Sequence, residues 1–257
     1  MRRVELYIGD IRFTFPEFTI YFRVEYDDSE DLNDAEIKIY NLSDETKNRI
    51  KKGMDVILNA GYEGDVGNIF FGRIEEAKTT KQRTDKITKI LAIDASEEWL
   101  NNTINKTYKA GIRASQILQD IISVSGLSVG VVQLAKDITY QRGRTINGRI
   151  PNVVSQISKD CDSKVTITKG LIYIREGEQG DDIRFLFNAQ RGLIGTPERF
   201  EDDDASGYEV TSLLNHRVQT DSLINVQSST ANGQYRVRKV VFTANRRDFY
   251  CDMEVVG

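Results

Sequence analysis

From Phe18 to Tyr26 the chain alternates: Phe18, Ile20, Phe22, Val24 and Tyr26 fall on one face of an extended backbone, and Thr19, Arg23 and Glu25 fall on the other, beside Tyr21. That period of two reads as a half-buried strand. Ala35 to Ile39 repeats it, with the acidic stretch Asp27 to Asp34 as the loop between. A short helix follows: Ser43 suits the N-cap, Asp44 and Glu45 the first turn, Lys51 and Lys52 the last, and Gly53 the stop. Met54 to Tyr62 is the next strand, turned by Gly64-Asp65-Val66-Gly67 into Asn68 to Ile74. Lys86 to Asp94 is a further strand without clean alternation, which predicts a bulge or burial on both faces. The pattern predicts a small barrel or sandwich.

The middle of the chain changes period. Ala114, Ile117, Leu118, Ile121, Ile122 and Ser125 lie on one helical face, and Gly126 suits the position just past its end. Pro151 suits the first turn of a second helix, with Val153, Val154, Ile157 and Cys161 as its apolar face. Val165 and Ile167, a Lys169-Gly170 turn, then Ile172 and Ile174 read as a hairpin. The last eighty residues return to strands at Ile183–Phe187, Tyr208–Leu214, Leu223–Gln227, Tyr235–Thr243 and Phe249–Val256, with Asn232-Gly233 as a hairpin turn. The expected class is mainly β: two small barrel-like domains, residues 1–106 and 177–257, flanking a small α+β domain at 107–176.

Composition narrows the chemistry. The 257 residues carry 35 Lys+Arg against 39 Asp+Glu, a net charge of 35 − 39 = −4, which does not predict a general phosphate-binding surface. With 39% hydrophobic residues, 11 Phe, 11 Tyr and three Pro, the chain is expected to fold. No run approaches the roughly 18 apolar residues of a membrane helix, and the start, Met1 to Leu6, lacks the apolar stretch of a secretory leader. One His (His216) and two Cys (Cys161, Cys251) cannot make a zinc site of the usual composition within one chain. They point to a reduced, cytosolic history.

Candidate catalytic groups lack supporting motifs. His216 lies near Ser206, Ser212 and Asp221 in sequence, with no Gly-x-Ser-x-Gly turn, so a histidine between strands is the expected reading. Asp202, Asp204, Ser206 and Gly207 match the first half of a calcium loop, but Leu213 stands where a bidentate Glu is needed. Glu75-Glu76 point to opposite faces of one strand, and Glu97-Glu98 suit the first turn of a helix before Trp99. Gly64, Gly67 and Gly72 fit no phosphate-binding motif. A basic cluster of Arg236, Arg238, Lys239, Arg246 and Arg247 on the last hairpin suits strand-edge protection or protein contact.

Several stretches together resemble a known family. They are Ile39-Tyr40-Asn41-Leu42-Ser43 through Gly53, Val56 to Tyr62, Ile69 to Ile74, Ala114 to Leu127, Gly143, Gly148, the Gly170 to Ile174 hairpin, Gly192 to Glu198, Val210 to Asn215, and Asn232 to Val237. In this order they resemble tail hub proteins of bacteriophages and phage-tail-like bacteriocins. The sequence departs from that pattern at His216, where relatives place a proline, and at Asp221, where glycine is usual. The resemblance implies a homotrimeric, non-enzymatic ring with no cofactor, in the baseplate of a virion or tail-like particle. It would join the sixfold tail tube to a threefold central spike. The implied partners are the chain itself, tube protein, spike, tape-measure protein and baseplate wedge proteins, with DNA only in transit and no membrane insertion. On this reading Gly61, Tyr62, Gly72, Gly192, Gly195, Pro197, Arg236 and Arg238 are interface candidates. The alternative is a peptidoglycan- or carbohydrate-binding module, because the helix–helix–hairpin centre resembles cell-wall-binding domains of the LysM type.

Overall fold

Alternation becomes pairing in the computed structural model, which describes residues 1–28, 32–94, 97–176, 180–201 and 205–257. The first strands are β1 (Arg2–Ile8), β2 (Ile11–Phe15), β3 (Ile20–Asp27) and β4 (Asp34–Tyr40). Helix α1 (Asp44–Arg49) follows, with the Ser43 side chain accepting from the Thr46 amide as expected; it stops at Arg49, short of Lys51 and Lys52. Then come β5 (Asp55–Tyr62), β6 (Asp65–Gln82) and β7 (Asp85–Ile93). The β5–β6 turn is tighter than the sequence predicts, because Tyr62 pairs with Asp65 and leaves only Glu63 and Gly64 between them. Strand β6 runs eight residues beyond the predicted end at Ile74.

The next elements are α2 (Glu97–Asn101), β8 (Thr103–Tyr108), β9 (Ile112–Arg113), α3 (Ala114–Ile122), β10 (Ser128–Val132), β11 (Thr139–Tyr140), β12 (Arg144–Arg149), α4 (Ile150–Asp160), β13 (Lys164–Thr168) and β14 (Leu171–Arg175). Both predicted helical faces are buried: Ala114, Ile117, Leu118, Ile121 and Ile122 on α3, and Val153, Val154 and Ile157 on α4. They pack with Trp99, Val165, Ile172 and Ile174 into one apolar cluster. The β13–β14 turn has φ of +56° at Lys169 and +74° at Gly170, the paired left-handed residues of a two-residue hairpin.

The chain closes with β15 (Asp181–Phe187), β16 (Leu193–Glu201), β17 (Ser206–Leu213), β18 (Ser222–Gln227), β19 (Asn232–Ala244) and β20 (Phe249–Val256). Here the predicted Asn232-Gly233 turn is corrected: both residues lie in β19, and Gln227 pairs with Asn232. The turn forms at 228–231 because the Ser228 hydroxyl accepts from the Thr230 and Ala231 amides, which closes the chain without glycine.

Contacts divide the chain into two units, one of residues 1–28, 33–93 and 180–257, the other of the described residues of 29–32 and 94–179. In the first, the strand path is β16-β17-β20-β19-β3-β4-β7-β6-β5-β1-β2, with β15 and β18 branching from β19. The segments read as the first and last β domains are thus joined in one sheet, through pairs such as Phe242–Val24 and Val240–Tyr26. The class is mainly β, as expected, but the sheet is open and not a closed barrel among the described residues. The length open to further pairing is limited at both ends: Pro197 and a register shift interrupt β16, and Pro16 follows β2 directly. The alternating face of β3 supplies Ile20, Phe22, Val24 and Tyr26 to the core of this unit, each such burial contributing about 1.5–3 kcal/mol.

Candidate assembly surfaces

The side chains with catalytic potential are tied into the scaffold. His216 Nε2 lies 3.1 Å from Asp65 Oδ1, and Arg217 binds the same carboxylate through both terminal nitrogens at 2.6 and 2.9 Å. Hydrogen bonding from Arg217 outweighs the opposing effect of burial and holds the Asp65 carboxyl below its ordinary range. The imidazole lies against Gly67, where a Cβ would stand 2.5 Å from Nδ1. Thus His216 packs on the β5–β6 hairpin, against Asp65 and Gly67. Ser212 Oγ instead contacts Cys251 Sγ at 3.2 Å, and Asp221 receives Arg236. Both cysteines are free and buried, and burial pushes the Cys251 thiol up to about 11. Among the described residues, no group of three or more His, Cys, Asp or Glu is placed to hold a metal ion. Asp202 and Asp204 of the calcium-loop match lie outside the described residues.

The interface candidates occupy distinct settings in the larger unit. At Gly61 a Cβ would stand 2.1 Å from the Asp65 carbonyl oxygen, and at Gly72 it would stand 2.2 Å from that of Ile93. Both glycines therefore permit close strand approach. Tyr62 packs edge-on to Phe249 and donates its hydroxyl to the Phe249 carbonyl. The Gly192 carbonyl accepts from Leu213 N at 2.7 Å, while Gly195, with φ +69°, has open space where a Cβ would go. Pro197 is buried, and its carbonyl accepts from Thr230 Oγ1 at 2.7 Å.

The basic cluster is largely neutralised by local partners. Arg236 Nη1 lies 2.7 Å from Asp221 and 3.0 Å from Asp28, with only 17% of its side chain exposed. Arg238 lies 3.8 Å from Glu254 and over the Phe200 ring, and Lys239 bonds Glu25 at 2.5 Å. Arg246 and Arg247 remain exposed. The exposed strand edges, rather than this cluster, carry the larger unmet hydrogen-bonding capacity: among the described residues β16 and β2 end the sheet, and β6 beyond Ile74 pairs only with β7.

In the smaller unit, sequence reasoning missed Asp94. Its carboxylate is fully buried and accepts from the Lys169 amide at 2.7 Å and the Gly170 amide at 2.6 Å. Burial raises its pKa to about 7 against the opposing effect of those two amides. Burial also lowers Lys169 to about 8. A groove of about 520 Å³ lies along α4, lined by residues including Trp99, Asn152, Gln156 and Lys159. Trp99 is only 4% exposed, so its ring offers little open face for stacking on a sugar.

An open, mainly β sheet assembled from both ends of the chain, with an α+β unit in between, is an architecture shared with known proteins. The family model described as baseplate hub gp41 matches residues 19–255. The chain belongs to this baseplate hub family. A solved tail protein of 43 kDa from prophage MuSo2 of Shewanella oneidensis has the same fold, with a TM-score of 0.75 at 10% identity, covering 100% of this chain and 97% of that one. A tail protein from Neisseria meningitidis MC58 superposes with a TM-score of 0.70 at 8% identity, covering 100% of this chain and 96% of that one. The E. coli c3393 protein, a type VI secretion component described as similar to T4 tail proteins gp27 and gp5, has a TM-score of 0.64 at 10% identity, covering 98% of this chain and 76% of that one. Curated protein sequences give no match. The family is a structural component of phage tails. Among the described residues, no helix of this hub is long and apolar enough to cross a membrane.

Proposed function

We propose that the chain is one subunit of a homotrimeric ring at the tip of a tail tube, in a phage or a phage-tail-like bacteriocin. The ring adapts a sixfold tube to a threefold central spike. The observation that carries this reading is the match to the baseplate hub family across 19–255, which spans both β segments of the larger unit. Two β segments per subunit give three subunits six tube-facing positions. The likeness of the fold to c3393, itself described as similar to T4 gp27 and gp5, supports a place between tube and spike. Cyclic closure joins two different surfaces of the same chain, and the open sheet offers distinct ends for it. On this reading the subunit also meets the tape-measure and baseplate wedge proteins, and DNA crosses the lumen only in transit.

Purified particles carrying a tagged chain test this. The account expects the tag at the tube tip, with three copies of the chain for each six-subunit ring of tube protein. A tag distributed along the tube, or a copy number of six, contradicts it.

A further inference from the structure

Strand β6 carries a free edge of unusual character. Residues 65–73 pair with β5 and Ile74 bonds Met54 and Gly53, but from Glu75 to Gln82 the only strand partner among the described residues is β7. This leaves eight residues, roughly 27 Å of strand, with one side unpaired among the described residues. Every residue from Glu75 to Gln82 is exposed. After Glu75 and Glu76 the edge runs into a basic hairpin arm: residues 78–89 hold Lys78, Lys81, Arg83, Lys86 and Lys89 against Asp85, a net of 5 − 1 = +4. The rest of the chain is therefore −4 − 4 = −8. Lys86 pairs with Asp44 and Lys89 with Glu36, whereas Lys78, Lys81 and Arg83 make no ion pair among the described residues.

Cross-strand register sharpens the contrast. Lys78 stands opposite Lys89, and Lys89 opposite Lys38, so three lysines lie abreast starting at this edge. At the β16 end of the same sheet, Glu198 stands opposite Glu209, and Glu209 opposite Glu254, so three glutamates lie abreast. Like charges directly opposed across strands are unfavourable. Within the chain they are relieved only on the inner side: Glu36 binds Lys38 and Lys89, and Arg238 approaches Glu254. The outermost members, Lys78 and Glu198, are both exposed, and neither has an ion-pair partner among the described residues.

We propose that the Lys78 edge of β6 receives the Glu198–Glu201 edge of β16 from a second copy of this chain. The two charge rows then meet end to end, with Lys78 beside Glu198. Pro197 and the register shift on β16 confine the added pairing to Glu198–Glu201, which sets the register of the contact. The contact is heterologous, as ring closure requires, and in this the proposal rests on the reading above.

Charge swapping in the full-length chain tests it, with solution mass followed against concentration. K78E and E198K, at exposed positions, should each raise the concentration needed for assembly at least tenfold, and K78E/E198K should restore it to within threefold of wild type. Amide hydrogen exchange in the wild type adds a second readout: 75–82 and 198–201 should become protected on assembly. Trimers whose 75–82 amides gain no protection over the single chain, or a double variant no better than the singles, overturn the proposed edge while leaving the ring intact. A wild type that stays at the single-chain mass overturns it, as does protection of 75–82 by duplex DNA instead of by chain concentration.

Discussion

The hydroxyl of Tyr62 donates to the carbonyl oxygen of Phe249 at 3.3 Å, and the two rings meet edge to face with centroids 5.4 Å apart. One residue ends the β5 strand of the N-terminal segment and the other begins β20 of the C-terminal segment. Their contact is part of what makes one unit of two distant stretches of sequence. Tyr62→Phe should cost about 1 kcal/mol through the lost hydrogen bond. Tyr62→Ala should cost about 2 kcal/mol or more, because the ring contact goes too. Urea unfolding of the two variants measures the split, and equal losses would contradict the role given to the ring.

Arg236 holds Asp221 at 2.7 Å, and Asp221 adopts φ +63° with its side chain only 6% exposed. Burial acts to lower the basicity of the Arg236 guanidinium, but the hydrogen bonds it donates to Asp28 and Asp221 overcome this and keep it more basic than usual. Arg236→Met removes the charge partner of a buried carboxylate and should cost about 3 kcal/mol. Asp221→Asn keeps a residue that tolerates left-handed backbone but removes the charge. The double variant should therefore be more stable than the sum of the two single losses implies. Strict additivity in denaturant midpoints would show that the pair is not coupled.

The two interface-candidate glycines Gly72 and Gly195 should respond differently to alanine. At Gly72 the new Cβ would stand 2.2 Å from the Ile93 carbonyl, so β6 and β7 must part. A loss of about 2–3 kcal/mol is expected. At Gly195 there is open space, and only the φ of +69° is unfavourable, which costs about 1 kcal/mol. Thermal unfolding ranks them, and a more damaging Gly195→Ala would contradict this account.

Asp94 makes stability depend on pH in an unusual direction. Its pKa is about 7 in the folded chain against an ordinary 3.8. Between these values the folded state retains a proton that the unfolded state has lost. Its contribution is fully present below pH 4 and is lost as pH rises towards 7, at up to about 1.4 kcal/mol per pH unit. The urea midpoint of the wild type minus that of Asp94→Asn should therefore fall from pH 5 to pH 7 and level off above. Subtracting the variant cancels the other titrating groups, and a flat difference would remove Asp94 as the cause.

The legible parts of this fold are those where burial imposes a period. The alternation of Phe18 to Tyr26 and the Ala114 to Ile122 face were readable because each buries one side against a core. The Lys169-Gly170 turn was readable from its residue types. The far half of β6, Glu75 to Gln82, was not, because it buries nothing and shows no apolar period; only its register with β7 makes it a strand. Asp94 was equally silent, since its two hydrogen-bond donors lie 75 and 76 residues away in sequence. The family resemblance rested on strand and turn signatures scattered along the chain, and the match over 19–255 upholds it. Those signatures carry geometry, which is why they point to a scaffold and not to individual contact residues.

The central claim is that this hub assembles as a ring of three. Light scattering of the purified full-length chain over a concentration series tests it most directly. The account predicts a mass of 3 × 29.2 = 87.6 kDa that holds as concentration rises. A mass fixed at 29.2 kDa, or growth into an open-ended series of larger species, would contradict it.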